Sequence, residues 1–467
     1  MLQPMLRFGR RQLLQAAPAC ASLLTVTAVR ANATRTTRTP RALVRDPQHI
    51  LDLPQGFSYS VISRAGDAMH DGYRVPGSPD AMGVFDVAGE LVLMRNHEVA
   101  PGDAASGPYP KGKHAPAEAF DAAAYGGVTR LVLDPQTLAL RRQELALCGT
   151  HWNCAGGLSP WGWLTCEEIF VPGHGYVFLA PHDTRGLTHA RPITSYGRFR
   201  HEAASVDPRT LIAYLTEDRD DAAFYRFVPE TPASPFRGRL QALRVVGQPA
   251  FDVNNLPLHT PLPIDWVDVP NADPQDDNVR LQARERGAAR FTRTEGLWLS
   301  DGELFMCATT GGPIGHGQVL RVDYANTTPT LSVVAHSADP EVLDMPDNIT
   351  VSPHGDLFVA EDGLEGNYLR RITRDGAVID FAHNAHSASE LTGPCFTPDG
   401  QTLFVNLQRD GLTLAIRGPF AEETSQRPAA HGGTRPPASA GLGGLGAGVV
   451  LMGLAALMQR RRAVVSD

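Results

Sequence analysis

Val351-Ser-Pro-His-Gly-Asp-Leu-Phe-Val-Ala-Glu-Asp362 is a tight turn, then a short apolar run, then two acids. Pro353 presets one turn dihedral and Gly355 tolerates the left-handed region, so the chain is delivered directly into a strand. The same grammar recurs at Phe85–Glu98, Gly157–Glu168, Ser205–Asp218, Leu299–Thr310 and Phe396–Gln408. Further β-like runs lie between copies, among them Thr129–Leu133, Gln318–Val322 and Tyr368–Ile372, enough for three or four strands per unit. One such small sheet cannot bury both faces, whereas radial repetition buries them and leaves few open edges. The recurrence predicts an all-β protein, a six-bladed β-propeller with inserted loops and short helices, spanning residues 46–420. A pair of β-sandwiches and a parallel β-helix are the competing arrangements.

Composition agrees with this. The 467 residues are 42% hydrophobic and 20% charged, and 45 Gly with 37 Pro suit many short strands joined by turns. The formal net charge is −8, which argues against nucleic acid as a partner, because phosphate neutralisation needs clustered Lys and Arg. An acidic chain is instead suited to multivalent cations.

Both ends read as address labels. Arg10-Arg11 precede Leu13-Leu14 and a small apolar stretch, and Ala31-Asn32-Ala33 offers a cleavage site. Residues 1–33 are therefore expected to be a signal peptide for the twin-arginine export machinery. Residues 424–440 form a Pro/Gly-rich linker. The segment 441–462 runs without charge from Gly441 to Met458 and ends in Arg460-Arg461-Arg462, as an anchor or a sorting tail would. The expected location is periplasmic or at the cell surface, with membrane attachment through that segment as one option. After Cys20 leaves with the signal, five cysteines remain, and an odd count leaves at least one without a disulfide.

With the repeated strand taken as innermost, its acidic end points at the axis. Those ends carry Glu98, Glu167-Glu168, Glu217-Asp218 and Glu361-Asp362, and further acids recur at Glu202, Glu295 and Asp347-Asn348. Carboxylates converging on one channel must protonate unless cations neutralise them, and hard oxygen donors in this number suit calcium. Cys154, beside Gly156-Gly157, adds a thiolate that favours a transition metal, although a buried structural cysteine fits as well. Arg293 stands two residues before Glu295, so on a strand it would share its face and offer a guanidinium to phosphate oxygens. His97, His151 and His201 are ligands or hydrogen-bond partners on this reading.

Gly149-Thr-His-Trp-Asn-Cys154-Ala-Gly-Gly-Leu-Ser-Pro-Trp-Gly-Trp-Leu-Thr-Cys-Glu-Glu168 resembles the most characteristic segment of the PhoX alkaline phosphatase family. Gly197–Ala203, Thr216–Asp218, Phe224–Pro229, Arg293–Gly296 and Pro346–Asn348 fit in the same order. The resemblance implies an exported propeller that cleaves small-molecule phosphate monoesters with iron and calcium at the channel mouth. It makes Cys154 an iron ligand and Glu202 and Glu295 metal carboxylates. Glu167, Glu168, Asp347, Asn348 and Glu361 become further ligands, and Arg293 the phosphoryl-binding residue. A metal-held oxygen species would attack phosphorus while Arg293 stabilises the equatorial charge. The chain is shorter than typical members, and Asp71–Gly83 suggests a smaller branch of the family. A calcium-dependent lactonase or phosphotriesterase, or a non-catalytic calcium-binding propeller, would share the acidic channel but have no use for Cys154 or Arg293 respectively.

Overall fold

A computed structural model describes residues 41–110, 113–364 and 366–423. The signal peptide, linker and C-terminal apolar segment expected from the sequence lie outside the described residues. Among the described residues, no helix is long and apolar enough to cross a membrane.

The fold is all-β and propeller-like, with four separate antiparallel sheets and one nine-stranded sheet among the described residues. The first sheet is Pro79–Val87, Glu90–His97, Gly126–Leu133 and Leu140–Thr150. The second is Asn153–Ser159, Gly162–Glu167 and Val177–Ala180. The nine-stranded sheet joins two meanders at their outer edges. One begins with His201–Val206 and Ala213–Glu217, the other with Thr294–Ser300 and Glu303–Ala308, and Leu262–Asp268 links them by pairing with Thr330–His336. Pro346–Val351, Leu357–Glu361, Tyr368–Ile372 and Val378–Asn384 follow, extended outward by Leu51–Pro54 and Leu43–Val44. The last sheet is Leu391–Phe396, Thr402–Leu407 and Leu412–Arg417, completed by Ser58–Arg64 from the start of the chain.

Local chemistry explains these hairpins. Ala88-Gly89 and Asp301-Gly302 each hold φ above zero at both turn positions, the twist that matches two antiparallel strands. In the Pro353-His-Gly355 and Pro398-Asp-Gly400 turns, the Gly355 and Gly400 N–H groups donate to the Ser352 and Thr397 carbonyls at 2.8 Å. Apolar side chains then fill the space between neighbouring sheets: Trp163, Phe178, Phe224 and Phe404 are all essentially buried. Each such side chain contributes on the order of 1.5–3 kcal/mol.

The repeated strand recognised in the sequence is not the innermost one. The strand before it takes that place: Pro79–Val87, Asn153–Ser159, His201–Val206, Thr294–Ser300, Pro346–Val351 and Leu391–Phe396 pack side by side in this order, and the last returns against the first. They approach closely. A Cβ on Gly157 would stand 1.5 Å from the Ala204 carbonyl oxygen, and one on Gly296 would stand 2.4 Å from that of Asp347.

Candidate metal and phosphate site

Every inner strand breaks its pairing register just after its first or second residue, with irregularities at 79/82, 153/156, 201/204, 294/297, 346/349 and 392/395. A bulge leaves residues unpaired and re-aims their side chains. In the first five strands the second residue stands there, in order Asp80, Cys154, Glu202, Glu295 and Asp347; in the sixth, Thr392 is still paired with Asn406 and the break follows it. The third is small or Asn: Ala81, Ala155, Ala203, Gly296, Asn348 and Gly393.

A further set stands one residue beyond the end of each second strand: Glu98, Glu168, Asp218, Thr309, Asp362 and Gln408. The two sets meet. Ligand atoms of Asp80, Glu98 and Cys154 lie within 4.8 Å of one another, as do those of Cys154, Glu168 and Glu202, and those of Glu202, Glu295 and Asp347. The three groups share Cys154 and Glu202, so together they form one continuous cluster.

Its electrostatics are those of a site that needs cations. Burial pushes the Glu202, Glu295 and Glu98 carboxyls well above the ordinary range, and neighbouring acids add to the shift. Burial and Asp347 bring Asp80 to about 7, and burial and Asp218 bring Glu168 to about 8. The Cys154 thiol is driven up by burial and by Asp80 and Glu202. Glu202 is 1% exposed, and its Oε1 has no hydrogen-bond partner. A naked buried carboxylate oxygen among other acids is costly unless a cation meets it. The donor set fits metals: several carboxylates for hard ions and one thiolate for a softer one.

Neutral groups hold the cluster in shape. Asn96 Nδ2 donates to the carbonyls of Cys154 and Ala155 at 3.0 and 2.6 Å, while its Oδ1 accepts from the Trp163 indole. Gln408 Nε2 bridges Asp80 and Glu98 at 2.8 and 2.7 Å. Asn348 donates to Asp347 Oδ1 and accepts from Gly393 N–H, which orients the carboxylate.

Arg293 borders the cluster. It is not on a strand but immediately before one, at φ 43°, a left-handed conformation that non-glycine residues rarely adopt. Its guanidinium is nevertheless paired with Glu295, and its Nε donates to Asp218 Oδ1 at 2.8 Å. Desolvation works against the charge, but Glu295, Asp218 and Asp347 outweigh it and keep Arg293 firmly protonated. Arg200 pairs with Glu168 and lies 3.6 Å from Asp218. Both arginine side chains keep about a quarter of their surface open, at 26% and 28%. Trp152 and Met345, before Asn153 and Pro346, also have positive φ, so backbone strain collects at this end of the channel.

Of the expected ligands, the structure brings Cys154, Glu168, Glu202, Glu295 and Asp347 together, with Asn348 supporting Asp347. Glu167 and Glu361 are not brought in. Each is the last residue of its strand and faces the opposite side from its acidic successor. Glu167 accepts from the His151, Gly175 and Tyr176 amides and pairs with His174. Glu361 accepts from the Asp344 and Tyr368 amides and from Arg370 Nε. Both therefore brace turns. Sequence reasoning missed Asp80, left Glu98 off the ligand set, and gave Arg200 no role. The signal for Asp80 was present: Pro79-Asp80-Ala81 matches His201-Glu202-Ala203, Thr294-Glu295-Gly296 and Pro346-Asp347-Asn348 in pattern. His97 and His201 bond to backbone carbonyls of Gly77 and Gly197. All five described cysteines are free and buried.

The family model described as alkaline phosphatase PhoX matches residues 39–140 and 135–411. No curated protein matches the sequence. Among solved structures, the fold is similar to Pseudomonas fluorescens PhoX in complex with vanadate, a transition state analogue. That match has 19% identity and a TM-score of 0.63, and covers 81% of this chain and 97% of that one. A gluconolactonase from Xanthomonas campestris is 12% identical with a TM-score of 0.43, over 82% and 99% of the two chains.

Proposed function

Because this chain belongs to the alkaline phosphatase PhoX family, and is thereby a phosphoric-ester hydrolase, we propose that it cleaves phosphate monoesters at the carboxylate cluster. One observation carries the reading: six acids and Cys154 converge beside two arginine side chains that remain partly open. Propeller closure by six blades belongs to the same reading, supported by the ring of inner strands. An exported setting does too, supported by Arg10-Arg11 and Ala31-Asn32-Ala33.

Cys154, Glu168 and Glu202 would hold iron, and the outer oxygen donors, Asp80 and Glu98 on one side and Glu295 and Asp347 on the other, would hold iron or calcium. Bound there, such cations supply charge neutralisation to phosphoryl oxygens and to the departing alkoxide. The chain's own part is positioning. Asp218 anchors Arg293 and lies 3.6 Å from Arg200, so two guanidiniums already held in place would meet equatorial phosphoryl oxygens. Glu295 holds Arg293 from the other side, coupling the anion grip to the cation site. Asn348 and Gln408 keep the carboxylates aimed inward without adding charge.

The test is turnover by the full chain, loaded with iron and calcium, on a chromogenic monoester, a triester and a lactone. Monoester turnover that disappears with chelation and falls about 100-fold or more in Glu202→Gln is expected. Turnover of the triester or lactone with none of the monoester would overturn the proposal.

A further inference from the structure

Beside the link that leads into the strand of Cys154 lies a cluster that the phosphatase chemistry does not use. Asp121 comes from the insert in the first sheet, His151 from the link between the first two sheets, and His174 from the loop after Glu167. One ligand atom from each lies within 4.8 Å of the others. The two imidazole centroids are 4.6 Å apart, and Phe120 packs edge-on against His174.

Tautomer logic defines the problem. Glu167 is fully buried and takes the Nδ1–H of His174 at 2.7 Å, leaving the lone pair of the neutral ring on Nε2. That nitrogen stands 3.3 Å from Asp121 Oδ2, so two acceptors face each other. Something positive must lie between them. A proton would satisfy His174 and Asp121 but do nothing for His151, which is 8% exposed and whose buried Nδ1 has no partner. A cation satisfies all three. Buried carboxylate behind imidazole is also how proteins commonly orient a metal-binding histidine.

We propose that Asp121, His151 and His174 form a mononuclear site for a divalent cation of the zinc class, separate from the carboxylate cluster. Two nitrogens and one oxygen suit such a borderline ion and disfavour calcium, which takes oxygen ligands. The Asp121 side chain is 41% exposed, which leaves a solvent-facing position for the fourth ligand. The site ties the first-sheet insert to the loop of the second sheet. It thereby braces His151 and Trp152, the backbone that delivers Cys154.

The full chain is stripped by chelation, reloaded with zinc chloride, and measured by zinc K-edge absorption and by competition with a chromophoric chelator. The carboxylate cluster contains no histidine, so imidazole scattering reports this site alone. The expected result is zinc with histidine scattering, and affinity about tenfold or more weaker in Asp121→Asn and in His174→Gln. Asp121→Asn keeps the oxygen that accepts from Ala123 N–H, and circular dichroism checks that the chain folds. Zinc bound without imidazole scattering, or with unchanged affinity in both variants, overturns the proposal and leaves His174 a protonated bridge between two carboxylates.

Discussion

Arg293 shows how much one side chain is asked to do. It leaves a left-handed backbone position, spans Asp218 and Glu295, and still keeps part of its side chain open to solvent. A lysine there would keep the charge and lose the planar fork. Arg293→Lys is expected to lower kcat/KM on a monoester about 100-fold with metal content unchanged, measured by steady-state kinetics beside elemental analysis. Equal loss of metal would make Arg293 a support of the cluster rather than a phosphoryl ligand. The acid pairs behave differently at this scale. Glu167-Glu168, Glu217-Asp218 and Glu361-Asp362 looked interchangeable in the sequence, because a pair of acids does not reveal which one ends the strand. Period-two alternation decides it: the first braces a turn, and the second faces the axis. Glu361→Gln should therefore lose about 1–3 kcal/mol of stability in denaturant titration with metal content intact, whereas Asp347→Asn should lose metal.

At the scale of the element, a bulged inner strand is the working part. Its second residue carries the donor and its third makes room for the adjacent strand. Gly296→Ala would put a methyl group 2.4 Å from the Asp347 carbonyl oxygen, forcing apart two strands that both carry ligands. Overpacking of that kind costs about 1–3 kcal/mol, and the variant is expected to lose cation affinity as well as thermal stability. Retained affinity at reduced stability would show that the ligands tolerate displacement. The turn-and-strand repeats were legible because Pro, Asp and Gly announce turns by backbone chemistry alone. The inner strands were not. Thr294–Ser300 and Pro346–Val351 have no shared turn signal before them, and a bulge is a register event between two strands that neither strand's sequence declares. Asp80 escaped notice even though its triplet follows the pattern of the other inner-strand ligands, because nothing in the sequence marked that pattern as a strand start. Cys154 did not, because its glycine-flanked segment is distinctive.

Across the molecule, the cluster makes stability depend on cations and on pH together. Asp80 and Glu168 rise to about 7 and about 8 from ordinary values near 3.8 and 4.5, and Glu202, Glu295 and Asp347 rise as well. Such groups favour the folded state fully below their unfolded values, and the contribution is lost as pH climbs through the folded ones. Asp218, shifted down by its arginines in spite of burial, opposes the trend as a single group. The chelated chain should therefore melt lower at pH 8.5 than at pH 6, and iron with calcium should recover most of the difference. A melting temperature that rises with pH after chelation would contradict this account. The sequence anticipated a crowd of acids in one channel but not its two tiers, since only the assembled ring places second residues beside residues from other sheets.

Ser58–Arg64 pairs with Leu412–Arg417, so one of the earliest described strands waits for one of the last. During synthesis that early segment has no partner until the chain through Leu412–Arg417 has left the ribosome, and contacts so distant along the chain form slowly. Until the seam is sewn, Asp80 and Gln408 belong to opposite ends of an open arc, and the grip around the metals has no finished wall. Maturation of this hydrolase is thus timed by its final hairpin, and a nascent chain that stalls short of Leu412 would emerge with every ligand encoded and no closed ring to hold them.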